Sequence, residues 1–493
     1  MKALIISDGF NYLKPLTYTK PEPMIPISGR PLIDHMLNHL RGNFINDISL
    51  TMEANPSEEL TEYFEVDDQF EYLYLDEIFC ATTRKKRNSS YIDDTIILFQ
   101  GDVITDINLR DMLQYHKMSG SLLTVALSRS KDPCKNDEAG CEGEGSYNQI
   151  ETSHDHPGNG FTCAGIYITE PETLDIMIER IERNILLKQE EFMFPFDKSE
   201  ISYFINDGFS FKINNIDNYI KANRRVLESS KKQISSDIIG DIYGEVNIGE
   251  NTKIGESIIM GPTWIGDDVE IGDNNFIGPY TCIGNGTHIE SNCDIGSSVI
   301  FEDVFIGEKT YISDTVIGEY CVIGNNVSIR KTTVGGYSQL GNYIEMMQNS
   351  ILWPFSYIRD FSTVDGVIKR FISKISNCDY NCILAEEETF YFNTYEGTKI
   401  KPTGLCANNI FDFLEILETV DSRSIEYHLR ENFNDFAQWP RFIFNDNRLA
   451  KDIERIHEGD EDARSKLIEL FSSRILEVYT SDKELIENAH CTA

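Results

Sequence analysis

The residues that could do chemistry begin with a short loop near the N-terminus. The apolar run Ala3–Ile6 predicts a strand buried in a parallel sheet, and Ser7, Asp8 and Gly9 follow it directly. Glycine lets a phosphate group come close to backbone N–H groups, because it has no side chain to obstruct the approach. Gly9 would allow such an approach, whereas the side chains of Asp8 and Phe10 make it harder.

Gly101 and Asp102 form a second candidate site. They follow the run Thr95–Phe99, which predicts another buried strand. A carboxylate at the carboxyl end of a buried strand offers the hard oxygen ligands that Mg2+ prefers. Aspartate is also a common turn residue after a strand, so the residue types alone leave a metal ligand and a simple turn equally open.

The elements that would position these residues lie in an N-terminal domain, residues 1–228. A helix is predicted from Leu109 to Lys117, with Asp106 as its N-terminal cap. Leu122–Leu127 and Ala164–Ile168 predict two further strands. The alternation of strands and helices predicts an α/β layered domain.

Residues 237–345 carry an internal repeat with a period of six. Isoleucines, most of them followed by glycine, recur at positions 248, 254, 265, 271, 277, 283, 289, 295, 306, 312, 317, 323 and 329. A hexad of this kind forms one flat side of a triangular coil, with the aliphatic residue stacked inside. The repeat predicts a left-handed parallel β-helix.

The chain after the repeat is predicted to contain a linker, residues 346–388, and a small, mainly helical C-terminal domain, residues 389–493. Apolar residues recur there at helical spacing, for example at Ile410, Phe413, Leu414 and Leu417. The segment SIEYHLRENFNDFAQWPRFIFNDNRLAKDI resembles an uncharacterised domain attached to several sugar-handling proteins. That resemblance implies no particular chemistry.

The charge balance limits the partners. The chain has 44 Lys and Arg against 81 Asp and Glu, a net charge of -37, which disfavours binding to nucleic acid or to an anionic membrane. No apolar run approaches the ~20 residues of a membrane span, and the N-terminus lacks the pattern of a signal peptide. We therefore expect a cytoplasmic protein.

The segment after the first strand resembles the opening of the sugar-1-phosphate nucleotidyltransferases, or NDP-sugar pyrophosphorylases. That family reads roughly A-G-G-x-G-T-R-L-x-P-L-T, then P-K-P and an apolar helix, where residues 7–37 read SDGFNYLKPLTYTKPEPMIPISGRPLIDHML. The matching flanks are Leu13, Pro15, Leu16, Thr17, Pro21, Pro23, Met24, Pro26, Pro31 and Leu32. The resemblance implies a Rossmann-like fold and Mg2+-assisted transfer of a nucleotidyl group from a nucleoside triphosphate to a sugar 1-phosphate.

The centre of this motif departs from the family. Tyr12 occupies the position of the family's arginine, Glu22 that of the P-K-P lysine and Thr152 that of a sugar-phosphate lysine. Cys80 occupies a glycine position on the side of the base. Cations that offset phosphate charge would thus be lost, so no catalytic residue is predicted. The predicted nucleotide-binding residues are Ser7, Asp8, Gly9 and Gly101.

The resemblance also assigns a Mg2+ contact to Asp102. The family's second metal aspartate lies in W-x-D-I-G-T-P-x-D-Y-x-x-A-N, which resembles FKINNIDNYIKANRRVL here. Tyr219, Ala222 and Asn223 fix the register, and Lys212 then occupies the aspartate position. An ammonium group cannot bridge phosphate oxygens as Mg2+ does.

These observations favour a family member that is catalytically impaired and acts as a nucleotide- or sugar-phosphate-binding or regulatory subunit. One alternative is an active nucleotidyltransferase in which Lys14, Lys20 or Lys212 replaces the lost cations. Another is a non-catalytic protein scaffold. In each case we expect the β-helix to mediate homo- or hetero-oligomer formation, because its open ends need covering.

Overall fold

The chain folds into two compact units. The computed structural model describes residues 2–7, 12–52, 58–65, 71–74, 95–129, 161–170, 173, 200–236, 238–376, 378–430 and 433–491. The first unit comprises Met1–Leu13 and Lys20–Ala222, and the second comprises Lys14–Thr19 and Asn223–Ala493. In the described parts of the chain, every helix is too short or too polar to cross a lipid bilayer.

The first unit contains a mixed β-sheet and several helices. Its strands are β1 (Lys2–Ile6), β2 (Pro26–Ile27), β3 (Arg30–Pro31), β4 (Ile48–Met52), β5 (Glu71–Tyr74), β6 (Ile96–Gln100), β7 (Val103–Thr105), β8 (Leu123–Arg129), β9 (Phe161–Thr169), β10 (Ile201–Asn206) and β11 (Ser210–Lys212). Its helices are α1 (Leu32–Gly42), α2 (Glu58–Glu65), α3 (Leu109–Ser119) and α4 (Ile216–Ser229), the last of which continues beyond Ala222.

The main sheet has the strand order β10-β8-β9-β6-β1-β4-β5. Strand β9 is antiparallel to β6 and β8, and the other pairs are parallel. The sheet runs outward from β1 in both directions, as in doubly wound α/β folds. The predicted α/β fold is confirmed, and the parallel pairing of β1 with β6 brings the carboxyl ends of these two strands to the same edge.

The N-terminal cap of α3 differs from the prediction. The side chain of Asn108 accepts hydrogen bonds from backbone N–H groups of the first turn, so Asn108 and not Asp106 is the cap. Asp106 lies too far before the helix and instead accepts a 2.7 Å hydrogen bond from the backbone N–H of Phe209. A cap needs a side-chain oxygen at the residue directly before the helix, and Asn108 meets that condition.

The second unit begins with a long series of short strands. They are β12 (Gln233–Ile234), β13 (Asp241–Tyr243), β14 (Val246–Ile248), β15 (Lys253–Ile254), β16 (Ile258–Met260), β17 (Thr263–Ile265), β18 (Glu270–Ile271), β19 (Phe276–Ile277), β20 (Thr281–Ile283), β21 (His288–Ile289), β22 (Asp294–Gly296), β23 (Val299–Ile300), β24 (Phe305–Ile306), β25 (Tyr311–Ser313), β26 (Val316–Ile317), β27 (Val322–Ile323), β28 (Ser328–Arg330), β29 (Thr333–Val334), β30 (Gln339–Leu340), β31 (Glu345–Met346), β32 (Ile351–Leu352), β33 (Tyr357–Ile358), β34 (Thr363–Val364) and β35 (Val367–Ile368).

These strands form the parallel β-helix that the repeat predicted. Every third strand pairs in parallel, for example β14 with β17 and β17 with β20, so Ile248, Ile265 and Ile283 stack in one column. All the isoleucines of the repeat are buried in one continuous core, at most 4% exposed. The six-residue period therefore marks the interior position of each side, as stacked repeats require.

The β-helix continues beyond residue 345, where the sequence suggested a linker. Strands β32 to β35 keep the parallel pairing up to Ile368. From β31 to β35 the interior positions are apolar but only partly isoleucine, namely Met346, Leu352, Ile358, Val364 and Ile368. The interior needs an apolar side chain of suitable size and not isoleucine in particular. The isoleucine repeat therefore ends before the β-helix does.

The C-terminal domain closes the end of the β-helix. A hairpin of β36 (Phe390–Glu396) and β37 (Lys399–Ala407) adds to one of its sheets, because β37 pairs in parallel with β34. Tyr395, Ile400 and Tyr427 join the core of the β-helix. The C-terminal domain thus shields the last coil from water, as the terminal caps of repeat proteins do.

Beyond the hairpin the chain is mainly helical, as predicted. Its elements are α5 (Ile410–Thr419), α6 (Ser422–His428), β38 (Leu429–Arg430), β39 (Phe433–Asn434), α7 (Asp435–Ile443), α8 (Asn447–Ile453) and α9 (Ala463–Cys491). Trp439 is completely buried at the centre of a separate aromatic core, where it contacts Phe390, Phe413 and Phe471. The C-terminal domain therefore has a hydrophobic core of its own.

A buried charge cluster surrounds Asp435. Its carboxylate accepts hydrogen bonds from Arg370 (Nε, 2.9 Å), Arg430 (Nη2, 3.2 Å) and His428 (Nδ1, 2.9 Å). His428 Nε2 in turn accepts the backbone N–H of Asn393, so the proton of a neutral ring lies on Nδ1. Burial alone would raise the pKa of Asp435, but the charge of Arg370 and the hydrogen bond from His428 lower it well below its usual range.

We expect Asp435→Asn to destabilise the second unit by about 3–5 kcal/mol, because it leaves buried guanidinium groups without their carboxylate. The free energy of unfolding is measured by chemical denaturation. The matched control is Asp462→Asn, which removes a carboxylate that forms a surface ion pair with Lys466 and should cost less than about 1 kcal/mol. Equal effects of the two substitutions would contradict a structural role for the cluster.

Candidate functional site

The ends of β1 and β6 bring two of the predicted residues together. The backbone N–H of Gly101 donates to the carbonyl of Ile6 at 2.8 Å, and Ser7 N–H donates to Thr51 Oγ1 at 3.0 Å. A Cβ atom on Gly101 would lie 2.9 Å from the oxygen of Ile6 and 3.2 Å from Cα of Ser7. Glycine is therefore required at position 101 for this close approach of the two chains.

Asp102 follows Gly101 and is buried, with 4% of its surface exposed. Neither carboxylate oxygen has a hydrogen-bond partner in another residue of the described chain. Burial raises the pKa of Asp102, and the nearby charge of Lys212 acts in the opposite direction. A buried carboxylate without partners costs free energy, and such groups occur at functional sites more often than in ordinary cores.

The pairing of β7 with β11 places Lys212 beside this carboxylate. The two strands are antiparallel, with Lys212 opposite Val103, and the backbone N–H of Ile213 donates to the carbonyl of Asp102 at 2.7 Å. In the described parts of the chain, the Lys212 ammonium group forms no ion pair within 4.0 Å. Lys212 is therefore close enough to act on Asp102 through its charge without neutralising it by direct contact.

A third segment completes this part of the first unit. Gly165 in β9 has a φ of +74°, and a Cβ atom there would lie 2.5 Å from Val103 Cγ2 and 2.7 Å from Gln100 Oε1. The register of β9 against β8 shifts at this point, between Val125 and Leu127. The sequence predicted this strand but not the close approach at Gly165. A glycine inside an otherwise apolar strand often marks such a site and could have indicated it.

Two of the candidate substitute cations are already paired. Lys20 is buried and forms a 2.7 Å ion pair with Glu59 within the first unit. Lys14 belongs to the second unit and forms a 3.0 Å ion pair with Glu386 there. Charges held in this way are less available to a phosphate group, because binding it would break an existing pair.

The other predicted positions are only partly described. Tyr12 is 42% exposed, and Glu22 begins a short 3-10 helix, Glu22–Met24. The remaining predicted positions lie outside the described residues, namely Asp8, Gly9, Cys80 and Thr152. The structure therefore brings Ser7, Gly101 and Asp102 to one edge of the sheet and leaves the loop between Ser7 and Tyr12 as a prediction.

Similarity to known families covers most of the chain. Residues 2–192 match the nucleotidyl transferase family, and residues 259–368 match the GMPPB C-terminal domain. Residues 357–471 match a family of unknown function, DUF5752.

Known relatives match about two thirds of the chain. The bifunctional protein GlmU of Methanocaldococcus jannaschii is 28% identical over 341 residues, which cover 65% of this chain and 78% of that protein. The probable mannose-1-phosphate guanylyltransferase 2 of Oryza sativa subsp. japonica is 25% identical over 335 residues, or 65% of this chain and 91% of that protein. Mannose-1-phosphate guanylyltransferase 1 of Arabidopsis thaliana is 25% identical over 340 residues, with the same coverage. These matches support the sugar-1-phosphate nucleotidyltransferase family that the N-terminal motif resembles.

Members of the nucleotidyltransferase family typically use divalent metal ions. Asp102 suits such an ion as a single ligand, since its buried oxygens have no other partner in the described residues. Lys212, however, lies where the resemblance to the family places a second carboxylate, and an ammonium group repels a cation. Among the described residues, no three His, Cys, Asp or Glu side chains come together as a metal site. The residues present do not fit a Mg2+ site of two carboxylates.

We expect Asp102→Asn to raise the free energy of unfolding by about 1 kcal/mol, because a neutral amide is cheaper to bury than an unpartnered carboxylate. The change is measured by scanning calorimetry without ligands. Asp106→Asn is the matched control, since the Asp106 carboxylate already accepts a backbone hydrogen bond, and it should give no stabilisation. A lower stability of Asp102→Asn would mean that this carboxylate holds the fold together and is not reserved for a ligand.

Proposed function

We propose that this nucleotidyltransferase-family protein is catalytically impaired and acts as a nucleotide- or sugar-phosphate-binding, regulatory subunit. The observation that carries the proposal is the position of Lys212 beside the buried carboxylate of Asp102. We propose Ser7, Asp8, Gly9 and Gly101 as the nucleotide-binding positions and the cytoplasm as the setting. The relatives named as mannose-1-phosphate guanylyltransferases suggest GTP and mannose 1-phosphate as the first ligands to test.

The electrostatics of the first unit support weak or absent turnover. Transfer of a nucleotidyl group requires cations aimed at the phosphate oxygens where charge develops in the transition state. Tyr12 and Glu22 supply a neutral and an anionic side chain where the family resemblance implies arginine and lysine. Losing one preorganised charge typically costs about 10²-fold or more in rate. Binding can persist under the same loss, because backbone N–H groups still bind a phosphate group.

The pair Asp102 and Lys212 also supports binding without Mg2+. One carboxylate and one ammonium group carry no net charge, so a phosphate ligand meets a site that needs no added cation to offset Asp102. Lys212 is a point charge on a flexible stem and can turn toward a ligand oxygen. We propose that Mg2+ is at most a weak addition to this site.

An active enzyme with substituted cations is the second candidate. Lys212 favours it, because its ammonium group forms no ion pair in the described parts of the chain. Lys14 and Lys20 argue against it, since Glu386 and Glu59 already hold them. This candidate therefore depends on Lys212.

A non-catalytic scaffold is the third candidate. Like the first two, it would form oligomers through the β-helix. The first strands of the β-helix expose apolar side chains, with Ile234 39%, Ile239 78% and Tyr243 53% exposed. The C-terminal domain covers the other end. We propose that this uncovered first coil takes part in a homo- or hetero-oligomer, because an exposed apolar edge favours association.

We expect pyrophosphate release from GTP and mannose 1-phosphate to be at least about 10²-fold slower than for the mannose-1-phosphate guanylyltransferase 1 of Arabidopsis thaliana, assayed side by side. Other nucleoside triphosphates and sugar 1-phosphates are tested in the same way. Turnover comparable to that enzyme with any pair would contradict the impaired state. The double variant Tyr12→Arg and Glu22→Lys should raise turnover or affinity, and no response in either would show that these positions do not face the phosphates.

We expect a ligand that binds to raise the melting temperature of the protein equally with Mg2+ and with a chelator. A ligand at 100 times its Kd stabilises by about 2.7 kcal/mol, which thermal-shift assays detect. Lys212→Asp should restore a second carboxylate and make this stabilisation depend on Mg2+. Lys221→Asp makes the same charge change on the exposed face of α4 and is the control. A wild-type response that disappears with the chelator would refute the proposed role of Lys212.

A further inference from the structure

Strand β10 forms one end of the main sheet in the first unit. It pairs in parallel with β8 from Ile201 to Asn206, and in the described parts of the chain β8 is the only strand that pairs with it. The outer side of an edge strand presents backbone N–H and C=O groups to which a further strand can be added. Natural proteins usually block such pairing where it is not used.

The common means of blocking are absent from β10. Its six residues, ISYFIN, include neither a charged side chain nor proline, and they pair with β8 in one regular register. Lysine, proline and β-bulges are the usual features by which an edge strand avoids another chain. An uncharged strand that is rich in β-branched and aromatic residues is therefore a favourable surface for strand pairing.

Helix α3 and the turn after it add exposed apolar side chains beside this strand. Tyr115, Met118 and Leu122 are 40%, 78% and 38% exposed, and Ile205 of β10 itself is 40% exposed. The ring centroids of Tyr115 and Phe204 are 5.8 Å apart, so the helix lies against the strand at this point. Strand β10 and the side chains of Tyr115, Met118 and Leu122 thus form one surface, which we call the β10 edge.

The charges at the two ends of β10 favour a second copy of this chain as the partner. Antiparallel pairing of two copies places the Glu200 end of one strand against the Asp207 end of the other. Arg129 lies at that second end, where it forms a 3.3 Å ion pair with Asp207 and has 69% of its side chain exposed. Glu200 of each copy would therefore face an arginine of the other, whereas the net charge of -37 opposes contact between other parts of the two surfaces.

We infer that the β10 edge binds a second copy of this chain, with the two β10 strands antiparallel about a two-fold axis. The pairing joins two seven-stranded sheets and covers the exposed side chains of Met118 and Ile205. It is isologous, because the same residues meet from both sides. This interface is separate from the first coil of the β-helix, and it does not depend on the proposed ligand binding.

The test measures the mass of the full-length protein by sedimentation velocity over a wide range of protein concentration. Ile205→Lys introduces the charge that edge strands commonly use against pairing, at a side chain exposed enough to tolerate it. Because the interface is two-fold, two ammonium groups then lie close together, and we expect dimerisation to be at least about tenfold weaker. Met118→Lys should change the dimerisation constant in the same direction.

Two substitutions of the same kind serve as controls. Ile383→Lys changes an 82% exposed side chain of the second unit and should leave the mass unchanged. Ile239→Lys, at a 78% exposed position in the first coil of the β-helix, separates the β10 edge from association through that coil. Circular dichroism and the melting temperature identify any variant that fails to fold, and that variant is then set aside.

Hydrogen exchange of the wild-type protein gives a readout that needs no substitution. The amide protons of Ile201–Asn206 should exchange more slowly as the protein concentration rises, because strand pairing gives the outer N–H groups an acceptor. The amide protons of Ile96–Gln100, in the middle of the same sheet, should exchange at a rate that is independent of concentration.

Each result decides the inference. A dimer that Ile205→Lys and Met118→Lys weaken, and that Ile383→Lys leaves unchanged, supports the β10 edge. Weakening by Ile239→Lys alone overturns it and assigns association to the β-helix. A wild-type protein that stays monomeric, with exchange in β10 independent of concentration, overturns a second copy as the partner. The proposed ligand binding stands or falls separately, because none of these measurements includes a ligand.

Discussion

The antiparallel pairing of β7 with β11 is the constraint on which the chemistry of the first unit depends. It places Lys212 opposite Val103, the residue after Asp102. The ammonium group of Lys212 therefore lies near the buried carboxylate of Asp102, which has no hydrogen-bond partner among the described residues. A carboxylate kept for stability would be expected to have hydrogen-bond donors around it, and the Asp102 carboxylate has none in the described residues. The pair favours a site that recognises an anion and disfavours one that holds a metal ion between two carboxylates.

The second unit depends on a different constraint, the filling of a narrow interior. Each side of the β-helix contributes one aliphatic side chain to a continuous column, and parallel pairing satisfies the backbone groups along its length. Such a coil must end somewhere, and its last turn is met by Tyr395, Ile400 and Tyr427 from the C-terminal domain. The domain that matches a family of unknown function thus has at least one physical task here, which is to cover that end.

The buried cluster around Asp435 explains how this domain is fastened. Arg370 follows the last strand of the β-helix by two residues, whereas His428 and Asp435 belong to the helical part. A carboxylate shared by these groups ties the two parts at a point where apolar packing alone would not specify a register. Glu386 acts in a comparable way at the surface, where one carboxylate gathers Lys14, Tyr18 and Lys369. Acidic residues therefore serve as local connectors in a chain whose net charge of -37 would otherwise oppose compaction.

The sequence by itself determined the features that repeat or alternate over short distances. The hexads predicted the β-helix because every coil buries the same position, and the apolar runs predicted β1, β6 and β9 because a strand buried on both faces has no polar alternation. The family motif located Gly101, Asp102 and Lys212 in the chain. Only the tertiary structure decided what these residues meet: that Asp102 is buried without a partner, that the coil extends to Ile368 and that Lys14 pairs with Glu386. These facts depend on contacts between residues far apart in the chain, for which local spacing carries no signal.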